Sequence, residues 1–278
     1  MNARNVHAVI AAGVHHPTLL SKWQMDSALL RSKGIAPETI DLPALRKFAG
    51  LTLKVRHNGL RPDLPLTFRL MGLAELGIEV FSEYATHSDA TGHRYGKTSA
   101  ERTRDLIAFL EGWLDLKQRN HSLLWDMIRH EEALAQIRRS TNEVSSAAAD
   151  NPQPAQSPLR ASTVPRICGQ VILHRMQCDP KEVKSALFKR PVRLDLIPEE
   201  SHFYCYWRRG DADEVHILDL DEFGFYSLQF IDGATSVAEL SRRMGGDKRP
   251  SQVFKAGLRQ LARIGILDLH SALKAEIA

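Results

Sequence analysis

The sequence predicts an α+β protein with an N-terminal all-helical domain followed by a small winged-helix-like domain of three strands and three helices. Apolar residues recur at helical spacing through the first half of the 278 residues. A stretch rich in Ser, Ala, Pro, Asn and Gln follows, and beyond it short β-prone segments precede three helical ones. We therefore expect a helical domain at 1–139, a flexible linker at 140–165 and the winged-helix-like domain at 166–278.

The first half reads as a helical bundle, because each apolar stripe lies on one face of a helix. One helix is expected across Leu20–Leu30. A second starts at Leu42, buries a stripe that includes Leu45, Phe48, Ala49, Thr52 and Leu53, and ends at Asn58-Gly59. A third follows Asp63-Leu64-Pro65 and runs through Leu66–Tyr84. After a loop at 88–98, Ser99 starts a helical stretch that reaches Arg139 and breaks near Asn120.

The linker prediction depends on composition. Residues 140–165 contain almost no large apolar side chains, so they cannot bury enough surface to offset the entropy lost on ordering. An ordered surface loop is the alternative, and the length of the segment makes it the less favoured one.

The last part of the chain changes from strand to helix patterns. Strands are expected at Ile167–Leu173, Val192–Ile197, Phe203–Trp207 and Val215–Leu218. Helices are expected at Phe223–Ile231, after Ser236 with Glu239 completing a capping box, and after Pro250-Ser251 up to Gly265. A final short strand falls on the ILDL segment.

Composition excludes several classes of protein. With 43% hydrophobic and 25% charged residues, the chain can form a core, and it has no apolar run of the ~18 residues that a membrane span needs. Three widely spaced cysteines, Cys168, Cys178 and Cys205, fit reduced thiols in the cytoplasm better than a disulfide framework or a zinc site. A formal charge of +4 is compatible with an acidic peptide or a nucleic acid and requires neither.

Enzyme motifs are missing from the sequence: there is no P-loop, no G-x-G-x-x-G and no H-E-x-x-H. A metal enzyme that uses His15, His16, His121 and His130 is a third-ranked hypothesis. His130 lies on the apolar stripe of its helix, which favours a hydrogen-bonded histidine at a helix interface over a metal ligand.

The C-terminal domain resembles a known family. The residues that carry the resemblance are Ile231-Asp232-Gly233, the Ser236–Leu240 helix, and Leu261, Gly265, Ile266 and Leu267 at the end of the last helix. In this order and spacing they resemble the PqqD-like precursor-recognition element of ribosomal peptide modification systems. The resemblance implies that a leader peptide adds a strand to an exposed sheet edge and packs against the last helix.

The peptide-binding residues that this resemblance implies fall on two elements. The edge would be Val215, His216, Ile217, Leu218 and Asp219, and the groove wall would be Phe254, Lys255, Leu258 and Arg259. For Phe254 and Leu258 the alternative is that they are simply core side chains.

The wider chain is similar to a narrower group, on the segments NGLRPDLPLTFRLMGLAELGIEVF, LLWDMIRHEEALAQIRR and GQVILHRMQCDP. The group comprises partner subunits of multinuclear non-haem iron enzymes that modify cysteines of precursor peptides, in pathways of the methanobactin and 3-thiaglutamate kind. Within this group, the chain most resembles the partner subunits of the thiaglutamate pathway, in which the iron-bearing companion excises a cysteine carbon. The resemblance implies a heterodimer with that iron enzyme, a bound precursor peptide, and no catalytic residue, metal or cofactor in this chain.

A DNA-binding regulator is the second-ranked hypothesis, because winged-helix domains often read DNA. Basic residues support it: Arg242, Arg243, Lys248, Arg249, Lys255, Arg259 and Arg263. However, the start of the last helix offers only Gln252 as a good base reader. Carboxylates from Asp211 to Glu222 would also repel phosphate, so nucleic acid is not the expected partner. A membrane is not expected either, because the chain has no long apolar run.

Overall fold

The computed structural model describes residues 3–139, 159–209, 214–245 and 251–269. Contacts divide the chain into an N-terminal unit, residues 1–128 with 187–192, and a C-terminal unit, residues 129–186 with 193–278. The α+β class is confirmed: helices come first, and an antiparallel three-stranded sheet with helices follows. The predicted domain boundary lies after Arg139, whereas the contacts place Arg129–Arg139 with the C-terminal unit. Most of the predicted linker, residues 140–158, lies outside the described residues.

The N-terminal unit is helical throughout its described elements. The α-helices are α1 (Ala3–His15), α2 (Pro17–Met25), α3 (Ala28–Arg31), α4 (Leu42–Arg56), α5 (Pro65–Leu73), α6 (Leu76–Thr91), α7 (Ser99–Trp113) and the start of α8 (Arg119–Arg139). The break predicted near Asn120 is confirmed between α7 and α8. The single helix predicted across Leu66–Tyr84 is wrong, because Glu75 adopts the left-handed conformation (φ 58°) and separates α5 from α6.

The centre of this unit is the packing of α4 against α6. Gly50 makes the close approach possible: a Cβ atom there would lie 2.2 Å from the Ser82 hydroxyl oxygen and 2.6 Å from the Ser82 backbone nitrogen. Leu45, Ala49 and Leu53 are buried on the same side of α4. Phe48, which the sequence placed on this buried stripe, is instead exposed.

A carboxylate from α6 caps the start of α2. Asp89 accepts hydrogen bonds from the Thr18 backbone N–H (3.0 Å) and the Thr18 hydroxyl, and His16 Nδ1 lies 2.9 Å from the same carboxylate. Burial alone would raise the pKa of Asp89, but the hydrogen bonds from Thr18 and His16 outweigh it and hold the pKa below its ordinary value. Asp89 thus accepts a hydrogen bond from the first turn of α2, because the side chain of the N-cap residue His16 does not do so.

The described residues of the C-terminal unit form two antiparallel sheets. One pairs β1 (Arg166–Ile167) with β5 (Leu267–Asp268), and the other has the order β2 (Gln170–Met176), β3 (His202–Arg208), β4 (His216–Leu220). The helices of its second half are α10 (Glu222–Phe230), α11 (Val237–Arg243) and α12 (Gln252–Arg263). The predicted starts of α11 and α12 are confirmed, because Ser236 accepts from the Glu239 N–H and Ser251 from the Phe254 N–H.

Two predicted strands differ from the structure. The single strand predicted at Ile167–Leu173 is divided at Gly169 (φ 86°) between β1 and β2, which belong to different sheets. Val192–Ile197 forms a 3₁₀ turn over Leu194–Leu196 rather than a strand, and a local ion pair between Arg193 and Asp195 (2.6 Å) accompanies the turn. An α-helix that the sequence did not predict, α9 (Pro180–Phe188), lies between β2 and this turn. The alternating pattern resembled a strand, but a strand also needs a neighbour to pair with.

Side chains of the three-stranded sheet form a core on each of its faces. On one face Cys205 and Trp207 pack with the buried residues of α10, α11 and α12. On the other face Tyr204 and Tyr206 pack with Ala133 and Ile137 of α8. The alternation along β3 therefore places the sheet between α8 on one side and three helices on the other.

Residues 159–165, which the sequence assigned to the linker, pack against the C-terminal unit. Leu159 is buried in the helix-side core. The carbonyls of Ala161 and Thr163 accept hydrogen bonds from the Ala238 and Val237 N–H groups at 2.9 and 2.8 Å. This segment supplies acceptors to the first turn of α11, whose N–H groups have no partner within the helix.

Candidate functional site

The strand β4 forms one edge of the three-stranded sheet. In the described part of the chain it pairs with β3 alone, in a register that sets Tyr206 against Ile217 and Cys205 against Leu218. In an antiparallel pair, alternate residues direct their backbone N–H and C=O groups toward the partner and the others direct them away. One alternate set of β4 residues thus directs its backbone groups to the open side, where an added strand could pair with them. This set is either residues 217 and 219 or residues 216, 218 and 220.

The side chains of β4 are already engaged on both faces. Val215, directly before the strand, and Ile217 pack with the α8 side, while Leu218 packs with the helix-side core. The His216 ring lies 5.2 Å from the Trp207 ring, and the exposed Asp219 lies 3.2 Å from His202 Nδ1. The feature that remains open at this edge is therefore the backbone rather than a side-chain pocket.

The predicted groove wall on α12 divides into two kinds of residue. Phe254 is 5% exposed and Leu258 is 0% exposed, so both belong to the core, which was the alternative that the sequence left open. Phe254 packs edge-on against Phe223 of α10 with ring centroids 5.5 Å apart. Lys255 is partly exposed and Arg259 is exposed, and the structure records no ion pair for either within the described residues. Of the four predicted groove-wall residues, therefore, only Lys255 and Arg259 are presented to solvent.

A half-buried polar network lies on the opposite face of the sheet. His130 Nδ1 is 2.8 Å from the Tyr206 hydroxyl oxygen, and the Arg129 guanidinium donates to His174 Nδ1, with Nη2 at 2.7 Å. Burial lowers the pKa of His130 to about 4, and burial together with the nearby Arg129 charge lowers the pKa of His174 to about 4. Both rings are therefore neutral near pH 7, and the prediction that His130 is hydrogen-bonded at a helix interface is confirmed.

Tyr206 and His174 were not predicted from the sequence as members of this network. The only usable signal is alternation, since Tyr204 and Tyr206 lie two residues apart on β3 and must share a face. Tyr204 on the same face donates to Asp179 at 2.9 Å. Tyrosine hydroxyl groups on one face of a buried strand indicate that hydrogen-bond partners lie on that side, but they do not identify those partners.

The remaining candidate histidines have separate surroundings. His16 lies against Asp89, and His121 Nδ1 accepts from the Asp115 N–H at 3.1 Å. Across the residues that the structure describes, no group of three or more His, Cys, Asp or Glu side chains could hold a metal ion. The same residues contain no helix with the length and apolar character that a membrane crossing requires.

The cysteine thiols are not arranged for reactivity. Burial raises the pKa of Cys205 to about 12 and also raises the pKa of Cys168. Cys205 belongs to the helix-side core, and Cys178 is buried as well. All three are free thiols, and burial keeps the Cys205 and Cys168 thiols protonated near pH 7.

Comparison with known proteins adds no assignment to this geometry. No protein-family model matches the chain, and no curated protein matches it either.

Proposed function

We propose that this chain is a non-catalytic partner subunit of an iron-dependent oxidative enzyme in ribosomal peptide biosynthesis. Its C-terminal unit binds a precursor peptide, and its N-terminal unit docks on the enzyme, which carries the iron and modifies a cysteine of the peptide core. The two proteins act as a heterodimer in the cytoplasm, where the thiols of this chain stay reduced. In the pathway that the sequence resembles most, the modification is excision of a cysteine carbon.

The observation that supports this proposal is the open edge at β4. Its unpaired backbone groups offer hydrogen bonds to an added strand regardless of the peptide's side chains. The strand is supported from both faces, by α8 and by the α10–α12 core, so it is held in an extended form before a peptide arrives. Such preorganisation reduces the ordering entropy that strand addition must overcome.

Charge on α12 indicates the kind of leader that fits. Lys255 and Arg259 lie one turn apart on the solvent side of the helix whose other face supports the sheet. An acidic leader would gain from these cations both in affinity and in association rate. Holding the leader makes delivery of the core to the enzyme an intramolecular step, which raises its effective concentration.

The test is a pair of proline variants, Ile217→Pro and His216→Pro, titrated with a fluorescent synthetic leader peptide. Neighbouring residues of β4 direct their backbones to opposite sides, so one proline falls on the open edge and the other interrupts pairing with β3. The open-edge proline is expected to leave the fold intact and abolish binding, whereas the other is expected to lower stability. A folded open-edge variant with wild-type affinity would overturn the assignment of β4.

The DNA-binding alternative is supported by one observation, the cations Lys255, Arg259 and Arg263 along the outer side of α12. Carboxylates at Asp219, Asp221 and the adjacent Glu222 lie in the same unit and oppose phosphate binding. The same titration with a DNA duplex separates the two functions. Tight binding to DNA that weakens steeply with salt, with no binding to leader peptide, would favour the regulator.

A further inference from the structure

The outward face of α4 is apolar although it lies in solvent. Phe48, Leu51 and Val55 are 54%, 44% and 60% exposed, and their spacing of three and four residues places them on one stripe of the helix. The opposite face of α4 forms the core with α6 described above. A helix that is apolar on two opposite faces is normally covered on both, so this stripe marks an interaction surface.

The charged residues of α4 that flank this stripe, named here the α4 stripe, are all basic. The charged residues of α4 are Arg46, Lys47, Lys54 and Arg56, and none is acidic. Arg46 pairs with Glu83 of α6 at 2.7 Å, whereas no ion pair within the described chain engages Lys47, Lys54 or Arg56. The α4 stripe is thus an apolar surface flanked, on its own helix, by three cations that form no ion pair within the described residues.

A groove adjoins the α4 stripe on its lysine side. It has a volume of about 720 Å³ and is lined by Lys47 and Lys54 of α4 and by Met71 and the exposed Ile78. It extends the apolar surface beyond the helix toward α6. The α6 side of the groove carries glutamates, among them Glu79.

We infer that the α4 stripe is the surface on which the partner enzyme docks, through an apolar patch of that enzyme bordered by carboxylates. The inference rests on the proposed function and names the face of the N-terminal unit that carries it out. A second copy of this chain is a poor occupant, because two such stripes would bring like charges together.

The test compares two triple variants in complexes made by co-expression with the products of the neighbouring genes, among which the proposed function expects the iron enzyme. The first carries Phe48→Gln, Leu51→Gln and Val55→Gln, which keep good helix formers on an exposed face. The matched control carries Met25→Gln, Leu29→Gln and Leu116→Gln, three exposed apolar residues of the same unit outside the stripe. Affinity for the enzyme is measured by biolayer interferometry, and leader-peptide affinity is measured in parallel.

We expect the stripe variant to lose at least about tenfold in affinity for the enzyme, with the control variant and leader binding unchanged. Charge reversal by Lys47→Glu and Lys54→Glu should also weaken binding, and added salt should reproduce part of that loss. If the stripe variant binds the enzyme as the wild type does, the docking face is wrong while the proposed function stands. If the wild type binds no enzyme, the proposed function fails and this inference with it.

Two further outcomes would assign the α4 stripe to another occupant. Sedimentation that shows a wild-type dimer and a monomeric stripe variant would identify a second copy. Binding of the wild type, and not of the stripe variant, to vesicles of phosphatidylglycerol and phosphatidylcholine would identify a membrane. Either result overturns the inference.

Discussion

The half-buried His130 and His174, on the α8 face of the sheet, should make the C-terminal unit sensitive to acid. His130 and His174 are neutral in the fold because burial lowers the pKa of each to about 4, whereas an unfolded chain gives them a pKa near 6.5. A histidine whose pKa is lowered by folding has no effect on the free energy of unfolding well above pH 6.5. As the pH falls from 6.5 toward 4, it lowers that free energy. The reason is that in this pH range the unfolded state binds protons at these histidines and the folded state does not.

The magnitude follows from these pKa values. At pH 5 an unfolded histidine with a pKa of 6.5 is almost fully protonated, while a folded one with a pKa of about 4 is not. Linkage then gives a loss of about 2 kcal/mol for each ring between pH 7.5 and pH 5, or about 4 kcal/mol for the two. That is a large part of the total stability of a small unit.

Urea unfolding at pH 7.5 and pH 5 measures this loss. The ¹⁹F resonance of Trp207 in protein labelled with 5-fluorotryptophan follows the C-terminal unit, because Trp207 is buried in its helix-side core. The double variant His130→Asn, His174→Asn should lose much less stability than the wild type over the same pH interval. Single variants provide the same comparison if the double variant does not fold. Equal losses in variant and wild type would refute the reasoning.

Two other predictions concern separate parts of the chain. Asp89→Ala should lower the free energy of unfolding of the N-terminal unit by about 2 kcal/mol, because α2 loses its charged cap. Urea unfolding measures this change, and a decrease of less than a few tenths of a kcal/mol would contradict the prediction. Charge reversal by Lys255→Glu and Arg259→Glu should weaken binding of an acidic leader by roughly tenfold. A control variant with Lys22→Glu and Lys33→Glu has the same net charge and should bind the leader with wild-type affinity. If the two variants lose the same affinity, the loss reflects net charge rather than a contact with Lys255 and Arg259.

The order of elements in the C-terminal unit was largely predictable from local chemistry. Ser236 and Ser251 are helix caps that act within one turn, and the β-prone segment from Phe203 to Trp207 carries its own signal. Where the pattern was ambiguous, the prediction failed. Val192–Ile197 alternates as a strand would, yet it forms a turn, since strand formation depends on a neighbour that the segment does not contain.

The sequence by itself determined the α+β class, the caps that start helices and the existence of the strands at Phe203–Trp207 and Val215–Leu218, because these depend mainly on residues close together along the chain. Only the tertiary structure decided which apolar residues are buried. It placed Phe254 and Leu258 in the core, and it left Phe48 exposed on a helix with apolar residues on both faces. It also joined His130 to Tyr206. Burial and long-range pairing depend on which elements meet in space, and periodicity along one element cannot specify that.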